Sequence, residues 1–180
     1  MDQFARLPNI ISLARLCLVP LSVWLIFSQA WGAAFAVFVV AGLSDALDGW
    51  LAKTFHLATE LGAYLDPLAD KALLVSIYIS LAMRGHIPLA LAILVVSRDI
   101  MIVGAVLVAV LMGKPMQIRP LFVSKLNTAA QIVLAGIVLA MKATEAEPGA
   151  GLQLAIWSVA ALTLASAGAY LQQWFKHLGA

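Results

Sequence analysis

The sequence predicts an all-α integral membrane protein with six transmembrane helices, folded as a single domain over residues 1–180. Of the 180 residues, 63% are hydrophobic and 11% are charged, whereas charged residues make up about 25% of a typical soluble domain. Apolar stretches of about 20 residues, the length that crosses a bilayer, recur along the chain. The connections between them are short, which leaves no length for a separate soluble domain.

The limits of the apolar stretches define the six spans. The segment MDQFARLPN before the first span is polar and has no small-residue cleavage pattern. We therefore expect a short interfacial helix or arm there and no cleaved signal peptide. The predicted spans are Ile10–Phe27, Ala30–Leu51, Gly62–Met83, Ile87–Met112, Leu121–Met141 and Gly151–Trp174.

The charged residues of the connections predict the orientation. Six spans place both termini on one side of the membrane. The basic residues of that side are Arg6, Lys53, His56, Lys114, Arg119, Lys176 and His177. The opposite side carries Arg84 and Lys142, with Glu145 and Glu147 beside the latter. The excess of Lys and Arg marks the first side as cytoplasmic, and we expect a multi-pass protein of a bacterial inner membrane.

Four aspartates lie at the cytoplasmic end of the second span and the start of the third: Asp45, Asp48, Asp66 and Asp70. Residues three or four apart share one face of a helix, and two helices joined by a short loop pack antiparallel, so both pairs can converge on one pocket. A charged carboxylate at the centre of a bilayer costs about 2.5–3.5 kcal/mol. Bound cations would offset this cost, and carboxylate oxygens suit Mg²⁺, Mn²⁺ or Ca²⁺. Four carboxylates can bridge two ions.

The residues around the aspartates fit a phosphate-bearing ligand. Gly49, Ala52 and Gly62 leave room for a nucleotide diphosphate to approach the backbone, and Lys53 can pair with its phosphate oxygens. Pro67 follows Asp66 and either removes one helix hydrogen bond or starts a helical turn. In a purely structural alternative, Asp66 is an N-cap followed by proline at the first helical position.

The spacing of these residues resembles the signature of the CDP-alcohol phosphotransferases, D-x2-D-G-x2-A-R-x8-9-G-x3-D-x3-D. Here it is Asp45-x2-Asp48-Gly49-x2-Ala52-Lys53, eight residues, then Gly62-x3-Asp66-x3-Asp70. Lys53 stands where the family usually has Arg, which keeps the charge but loses the bidentate fork.

The resemblance implies a dimeric membrane enzyme with six spans. It would move the phosphatidyl group of CDP-diacylglycerol to an alcohol and release CMP. Two ions, Mg²⁺ or Mn²⁺, would be held by Asp45, Asp48, Asp66 and Asp70. Asp70 would be the general base that takes the proton of the acceptor hydroxyl. The CDP site would be lined by Asp45, Gly49, Ala52, Lys53 and Gly62.

The start of the first span carries a further resemblance. Residues PNIISLAR, which end at Arg15, are similar to the P-N-x-[LI]-[ST]-x-x-R opening of the glycerophospholipid branch of this family. Asn9 can alternatively be the cap of the first helix. Arg15 lies inside the span, so we expect it to pair with an acid or a phosphate.

Two segments contain candidates for the acceptor site. Arg98 and Asp99 in the fourth span form either an ion pair or a place for the acceptor phosphate. Residues SKLNTAAQ, which start at Ser124, resemble the S-K-x-N-T-x-x-Q of cardiolipin synthases of the CDP-alcohol type, whereas phosphatidylglycerophosphate synthases have G-K-x-K-T-x-x-Q. Asn127 in place of Lys fits a phosphodiester acceptor, phosphatidylglycerol, with glycerol 3-phosphate as the alternative. The basic candidates are Arg98, Arg119 and Lys125.

Two other classes compete with this interpretation. Intramembrane prenyltransferases also use aspartates and Mg²⁺, but they are longer and carry their motifs in separate halves. A cation transporter or proton relay would explain the acids but gives no use for Gly49, Ala52 and Gly62. The three histidines form no zinc or nucleophile–base motif, and no nucleic-acid signature is present.

Overall fold

The computed structural model is built of α-helices, with no strand among the residues it describes. These are residues 7–55, 60–111 and 121–178, with side chains described within 13–47, 68–104 and 121–175. The helices are α1 Leu7–Phe27, α2 Trp31–Phe55, α3 Glu60–Met83, α4 Leu89–Leu111, α5 Phe122–Ala143 and α6 Ala150–Leu178. The prediction of an all-α fold with six helices is confirmed, and each predicted span coincides with one of them.

The start of α1 corrects one expectation. The helix begins at Leu7, so Asn9 lies inside it and the interpretation of Asn9 as its N-cap is wrong. We expected the interfacial arm in the segment MDQFARLPN, but residues 7–9 of that segment belong to α1, and residues 1–6 lie outside the described part of the chain. Pro20 lies inside α1, where it removes one backbone hydrogen bond.

Helices α1, α3 and α5 end in the same kind of C-terminal cap. Each contains a residue in the left-handed region: Gln29 with φ 59°, Gly85 with φ 74° and Glu145 with φ 54°. The next N–H reaches back five residues to a helix carbonyl, which satisfies an otherwise orphaned acceptor. These bonds run from Ala30 N to Leu25 O, from His86 N to Leu81 O and from Ala146 N to Met141 O, each at 2.9 Å.

The chain divides into two compact units, and the first contains α1, α2, α3 and the end of α5 from residue 135. Helix α1 packs along both α2 and α3. In the described part of this unit, the extensive contacts of α2 and α3 are with α1, whereas we expected the two to pack directly on each other. Ile26, Ile77 and Tyr78 are fully or almost fully buried in this core.

The second unit contains α4, residues 122–134 of α5, and α6. Helix α4 packs against α6, and Val95 and Val159 contribute to a buried apolar core. This unit also buries polar side chains, namely Arg98, Asn127, Gln131, Thr163 and Ser166. Buried polar groups are costly unless they are hydrogen-bonded, and these side chains bond to one another.

Two helices are long and apolar enough to cross a membrane when only the described residues are searched. They are Phe122–Ala143 and Ala150–Phe175, and Leu13–Phe27 and Trp31–Leu47 are shorter apolar helices. Large apolar side chains also stand on the outside of the helices, such as Trp24 and Trp157. That all six helices cross the bilayer stays a prediction.

Candidate active site

Arg15 of α1 joins one aspartate of α2 to one aspartate of α3. Its Nη1 donates to Oδ1 of Asp45 at 2.7 Å and also to Oδ1 of Asp70. Arg15 reaches both because it lies on α1, the helix that packs along α2 and α3. The expectation that Arg15 pairs with an acid is therefore confirmed. We call these three residues the Arg15 bridge.

The Arg15 bridge is buried on one side and open on the other. The Arg15 side chain is 2% exposed, whereas the side chains of Asp45 and Asp70 are 45% and 43% exposed. A buried guanidinium without an acid partner would carry a large desolvation cost, so the carboxylates stabilise it. Because the carboxylates keep almost half of their surface, a ligand can reach them from the side away from Arg15.

The Arg15 bridge brings the two aspartate-bearing helices together. Two oxygens that bond to one nitrogen lie within roughly 6 Å of each other, so Asp45 and Asp70 face a common space. Asp48 follows Asp45 by one helical turn, and Asp66 precedes Asp70 by one turn. The side chains of Asp48 and Asp66 lie outside the described residues, and within the described side chains no group of three potential metal ligands is found.

The chemistry of the donor set fits a divalent cation. Asp45 and Asp70 carry two negative charges, and Arg15 supplies one positive charge. The residual negative charge and the half-exposed carboxylate oxygens suit a hard ion such as Mg²⁺ or Mn²⁺. Whether Asp48 and Asp66 complete the site stays a prediction.

The remaining residues of the predicted CDP site also lie on α2 and α3. Gly49, Ala52 and Lys53 fall in α2 and Gly62 in α3, but their side-chain surroundings are outside the described residues. Helix α3 begins at Glu60, so Asp66 and Pro67 are inside it. The alternative in which Asp66 caps the helix and Pro67 occupies its first position is therefore wrong.

Arg98 of α4 is the centre of a separate buried cluster. Its Nη1 donates to Asp99 Oδ1 at 2.6 Å, its Nε and Nη2 donate to Ser166 Oγ at 3.2 and 2.7 Å, and Nη2 also donates to Ser124 Oγ. Its guanidinium carbon lies 5.5 Å from the centre of the Tyr170 ring. The predicted ion pair of Arg98 with Asp99 is confirmed. These five residues form the Arg98 cluster.

The other residues of the predicted acceptor segment differ in their surroundings. Lys125 is exposed, whereas Asn127 is fully buried and accepts a hydrogen bond from Thr163 Oγ1 at 2.9 Å. Gln131 Nε2 donates to the same Thr163 hydroxyl at 3.5 Å. Arg119 lies outside the described residues. Roles of Arg98, Arg119 and Lys125 in binding an acceptor stay predictions.

The sequence analysis did not predict the hydrogen-bonding partners on α6, although the helical spacing of their polar side chains could have indicated them. Helix α6 carries Thr163, Ser166 and Tyr170 at positions i, i+3 and i+7, which share one face. Helix α5 carries Ser124, Asn127 and Gln131 with the same spacing. The two polar faces are connected by the Arg98 cluster and by the hydrogen bonds of Thr163.

Comparison with known proteins decides the family. The family model for CDP-alcohol phosphatidyltransferase matches residues 5–167 of this chain. The chain belongs to the CDP-alcohol phosphatidyltransferase family. Members of this family are membrane enzymes, and the match covers the Arg15 bridge and most of the helical fold.

Relatives within the CDP-alcohol phosphatidyltransferase family include lipid synthases of eukaryotes. The chain is 34% identical over 176 residues to a cardiolipin synthase (CMP-forming) of Rattus norvegicus, covering 89% of this chain and 58% of the relative. It is 31% identical over 187 residues to a chloroplastic CDP-diacylglycerol–glycerol-3-phosphate 3-phosphatidyltransferase of Oryza sativa, covering 94% and 57%. The chain thus spans little more than half the length of these two relatives.

Proposed function

We propose that this protein transfers the phosphatidyl group of CDP-diacylglycerol to the hydroxyl group of an alcohol and releases CMP. The observation that carries the proposal is the meeting of Asp45 and Asp70 at Arg15, inside the region that the family model matches. Half-exposed carboxylates from two helices give the reaction both a site for cations and a proton acceptor.

Each residue of the proposed site has its own role in the reaction. Asp70 takes the proton of the acceptor hydroxyl, which makes its oxygen a better nucleophile. That oxygen forms a bond to the phosphorus that carries the diacylglycerol, and the bond from this phosphorus to the bridging oxygen of CMP breaks. Asp45, Gly49, Ala52, Lys53 and Gly62 hold the cytidine diphosphate portion. Asp45, Asp48, Asp66 and Asp70 would hold two divalent ions, whose positive charge would stabilise the diphosphate.

We propose phosphatidylglycerol as the acceptor, with cardiolipin as the product. Asn127 in place of the Lys of phosphatidylglycerophosphate synthases supports this choice. The relatives of Rattus norvegicus and Homo sapiens, each 34% identical, bear the name cardiolipin synthase (CMP-forming) and support it as well. Glycerol 3-phosphate is the second candidate, favoured by the Oryza sativa relative.

We also propose that all six helices cross a bacterial inner membrane and that the chain forms a homodimer. The apolar side chains exposed on the helices support contact with lipid. The basic residues on the side of Arg6 support an active site that faces the cytoplasm, where CDP-activated lipids are accessible.

An acceptor panel tests the proposed reaction. The purified full chain is incubated in detergent with CDP-diacylglycerol, Mg²⁺ and one alcohol at a time, namely phosphatidylglycerol, glycerol 3-phosphate, inositol or serine. We expect equal amounts of CMP and cardiolipin with phosphatidylglycerol. Formation of phosphatidylglycerophosphate instead would reassign the acceptor, and absence of CMP with every alcohol would refute the transferase and favour a transporter.

A further inference from the structure

We propose that Arg15 is a positioning residue that competes with divalent ions for Asp45 and Asp70. It holds the two carboxylates together through its hydrogen bonds, and an ion bound to the same carboxylates weakens those bonds. This inference rests on the proposed function, because it needs the metal site that the four aspartates are proposed to form.

Geometry places Arg15 beside the carboxylates that a shared ion would use. One nitrogen, Nη1, contacts an oxygen of each carboxylate. A divalent ion shared by Asp45 and Asp70 would use oxygens of the same two side chains and would bring its positive charge next to the guanidinium. Two cations on one pair of carboxylates repel each other, so occupation by one weakens the other.

Burial explains why Arg15 bonds to these two carboxylates. Its side chain is 2% exposed, and Asp45 and Asp70 are 45% and 43% exposed. Without Arg15, two carboxylates within roughly 6 Å of each other would repel. Without the two carboxylates, the buried guanidinium of Arg15 would lose two acid partners, which is costly for a buried charge. The Arg15 bridge therefore holds the two carboxylates close together, and their exposed side stays accessible to an ion.

The competition has a thermodynamic consequence that a purely structural role lacks. Two ligands that weaken each other are coupled, and coupling in proteins typically changes affinity by about 5- to 150-fold. Removal of the internal cation should therefore tighten metal binding. If Arg15 only supported the architecture of the site, its removal would leave metal binding unchanged or weaken it.

Binding of Mn²⁺ to the purified full chain, measured by electron paramagnetic resonance, separates these outcomes. We expect Arg15→Gln to bind Mn²⁺ at least about fivefold more tightly than the wild type. Its melting temperature without metal should be lower and its stabilisation by Mn²⁺ larger. Arg15→Lys keeps the positive charge and should restore affinity close to that of the wild type.

Arg84→Gln is the matched control, because it also removes one positive charge from the first unit. Arg84 follows α3 directly, fourteen residues after Asp70, which is about 21 Å along a helix. Its Mn²⁺ affinity should equal that of the wild type. Equal or weaker binding by Arg15→Gln, with binding by the wild type intact, would overturn the inference and leave the proposed reaction standing. No binding by the wild type would overturn both.

A measurement on the wild type covers the case in which Arg15→Gln does not fold. Guanidinium ¹⁵N resonances are recorded in protein labelled at arginine, and Arg15 is assigned from the signal missing in Arg15→Lys. We expect saturating Mg²⁺ to shift the Arg15 signal and to speed exchange of its protons with water. An Arg15 signal that stays unchanged at saturation would overturn the inference.

Discussion

Asp70 is the residue on which the proposed proton transfer depends. Replacing it with Asn keeps its shape but removes both the charge and the basicity, and loss of a general base typically slows turnover by about 10²- to 10⁴-fold. Because Asp70 is also a proposed metal ligand, we expect the loss of turnover in Asp70→Asn to lie at or beyond the upper end of this range. The measurement is CMP release by the purified variant.

The control for this prediction is Glu147→Gln. Glu147 is an exposed acid in the turn before α6, so neutralising it should leave CMP release unchanged. The inserted, folded Asp70→Asn protein should elute from a sizing column like the wild type. Turnover by this variant close to the wild-type rate would remove Asp70 as the base.

His86 is a titratable residue whose surroundings oppose its protonated form. Its ring packs edge-on against Trp31 with centroids 4.8 Å apart. Partial burial, followed by the positive charges of Lys142 and Arg84, holds the pKa of His86 below its usual value of 6.5. NMR titration should find this lowered pKa, and Lys142→Gln should move it upward. A pKa above 6.5 in the wild type would contradict this account.

The sign of the stability effect follows from the direction of this shift. A histidine whose pKa is lower in the folded state binds protons more weakly there than in the unfolded chain. Its contribution therefore destabilises the fold as the pH falls below 6.5, and it disappears above that pH because both states are then neutral.

At the scale of the helices, Thr163 connects α6 to α5. Its hydroxyl oxygen lies 2.9 Å from Asn127 Oδ1 and 2.7 Å from the carbonyl oxygen of Val159, which share its one hydrogen, and it accepts from Gln131 Nε2 at 3.5 Å. Hydrogen bonds between membrane helices contribute about 0.6 kcal/mol on average and up to about 1.7 kcal/mol. Thr163→Val would leave the fully buried Asn127 without this hydrogen bond. We expect the free energy of unfolding in detergent to fall by about 1–2 kcal/mol.

Thr163→Ser is the conservative partner of this variant. It keeps the hydroxyl and loses only a methyl group, so it should retain more stability than Thr163→Val. If the two variants have the same free energy of unfolding, or if Thr163→Val is as stable as the wild type, the hydrogen bonds of Thr163 do not stabilise the packing of α6 on α5.

The sequence predicted the six helices but not these connections, and the reason is physical. Apolar stretches of bilayer length leave the backbone no alternative to helical hydrogen bonds, so α4 could be predicted closely from Ile87 to Met112. A lone hydroxyl in such a stretch carries no comparable signal. Ser80 and Ser97 bond to carbonyls of their own helices, whereas Ser166 accepts from Arg98.

The candidate site was predictable to a similar degree. The spacing of the aspartates predicted that all four converge on one pocket. Asp45 and Asp70 meet at Arg15, whereas the convergence of Asp48 and Asp66 stays a prediction. The role of α1 was predictable only in part. A buried Arg must pair with an acid, so a partner for Arg15 could be expected, but the sequence does not say which acid it is.

At the scale of the whole molecule, the proposed six-span topology makes a prediction about accessibility. Single cysteines are placed in a Cys17→Ser background at Gln29, His86 and Glu147, each in a turn after an odd-numbered helix, and at Phe122, at the start of α5. In right-side-out membrane vesicles, an impermeant maleimide should label the three turns and not position 122. Labelling of any of the three turns only in inverted vesicles would refute the topology.

Dependence on a divalent ion tests the central claim most directly. The reconstituted protein receives CDP-diacylglycerol and phosphatidylglycerol, and CMP and cardiolipin are measured with Mg²⁺, after excess EDTA and after Mg²⁺ is restored. We predict equal amounts of both products, arrest by EDTA and full recovery, because the carboxylates that gather at Arg15 need the ion to hold the diphosphate. Undiminished CMP release in EDTA would contradict the account.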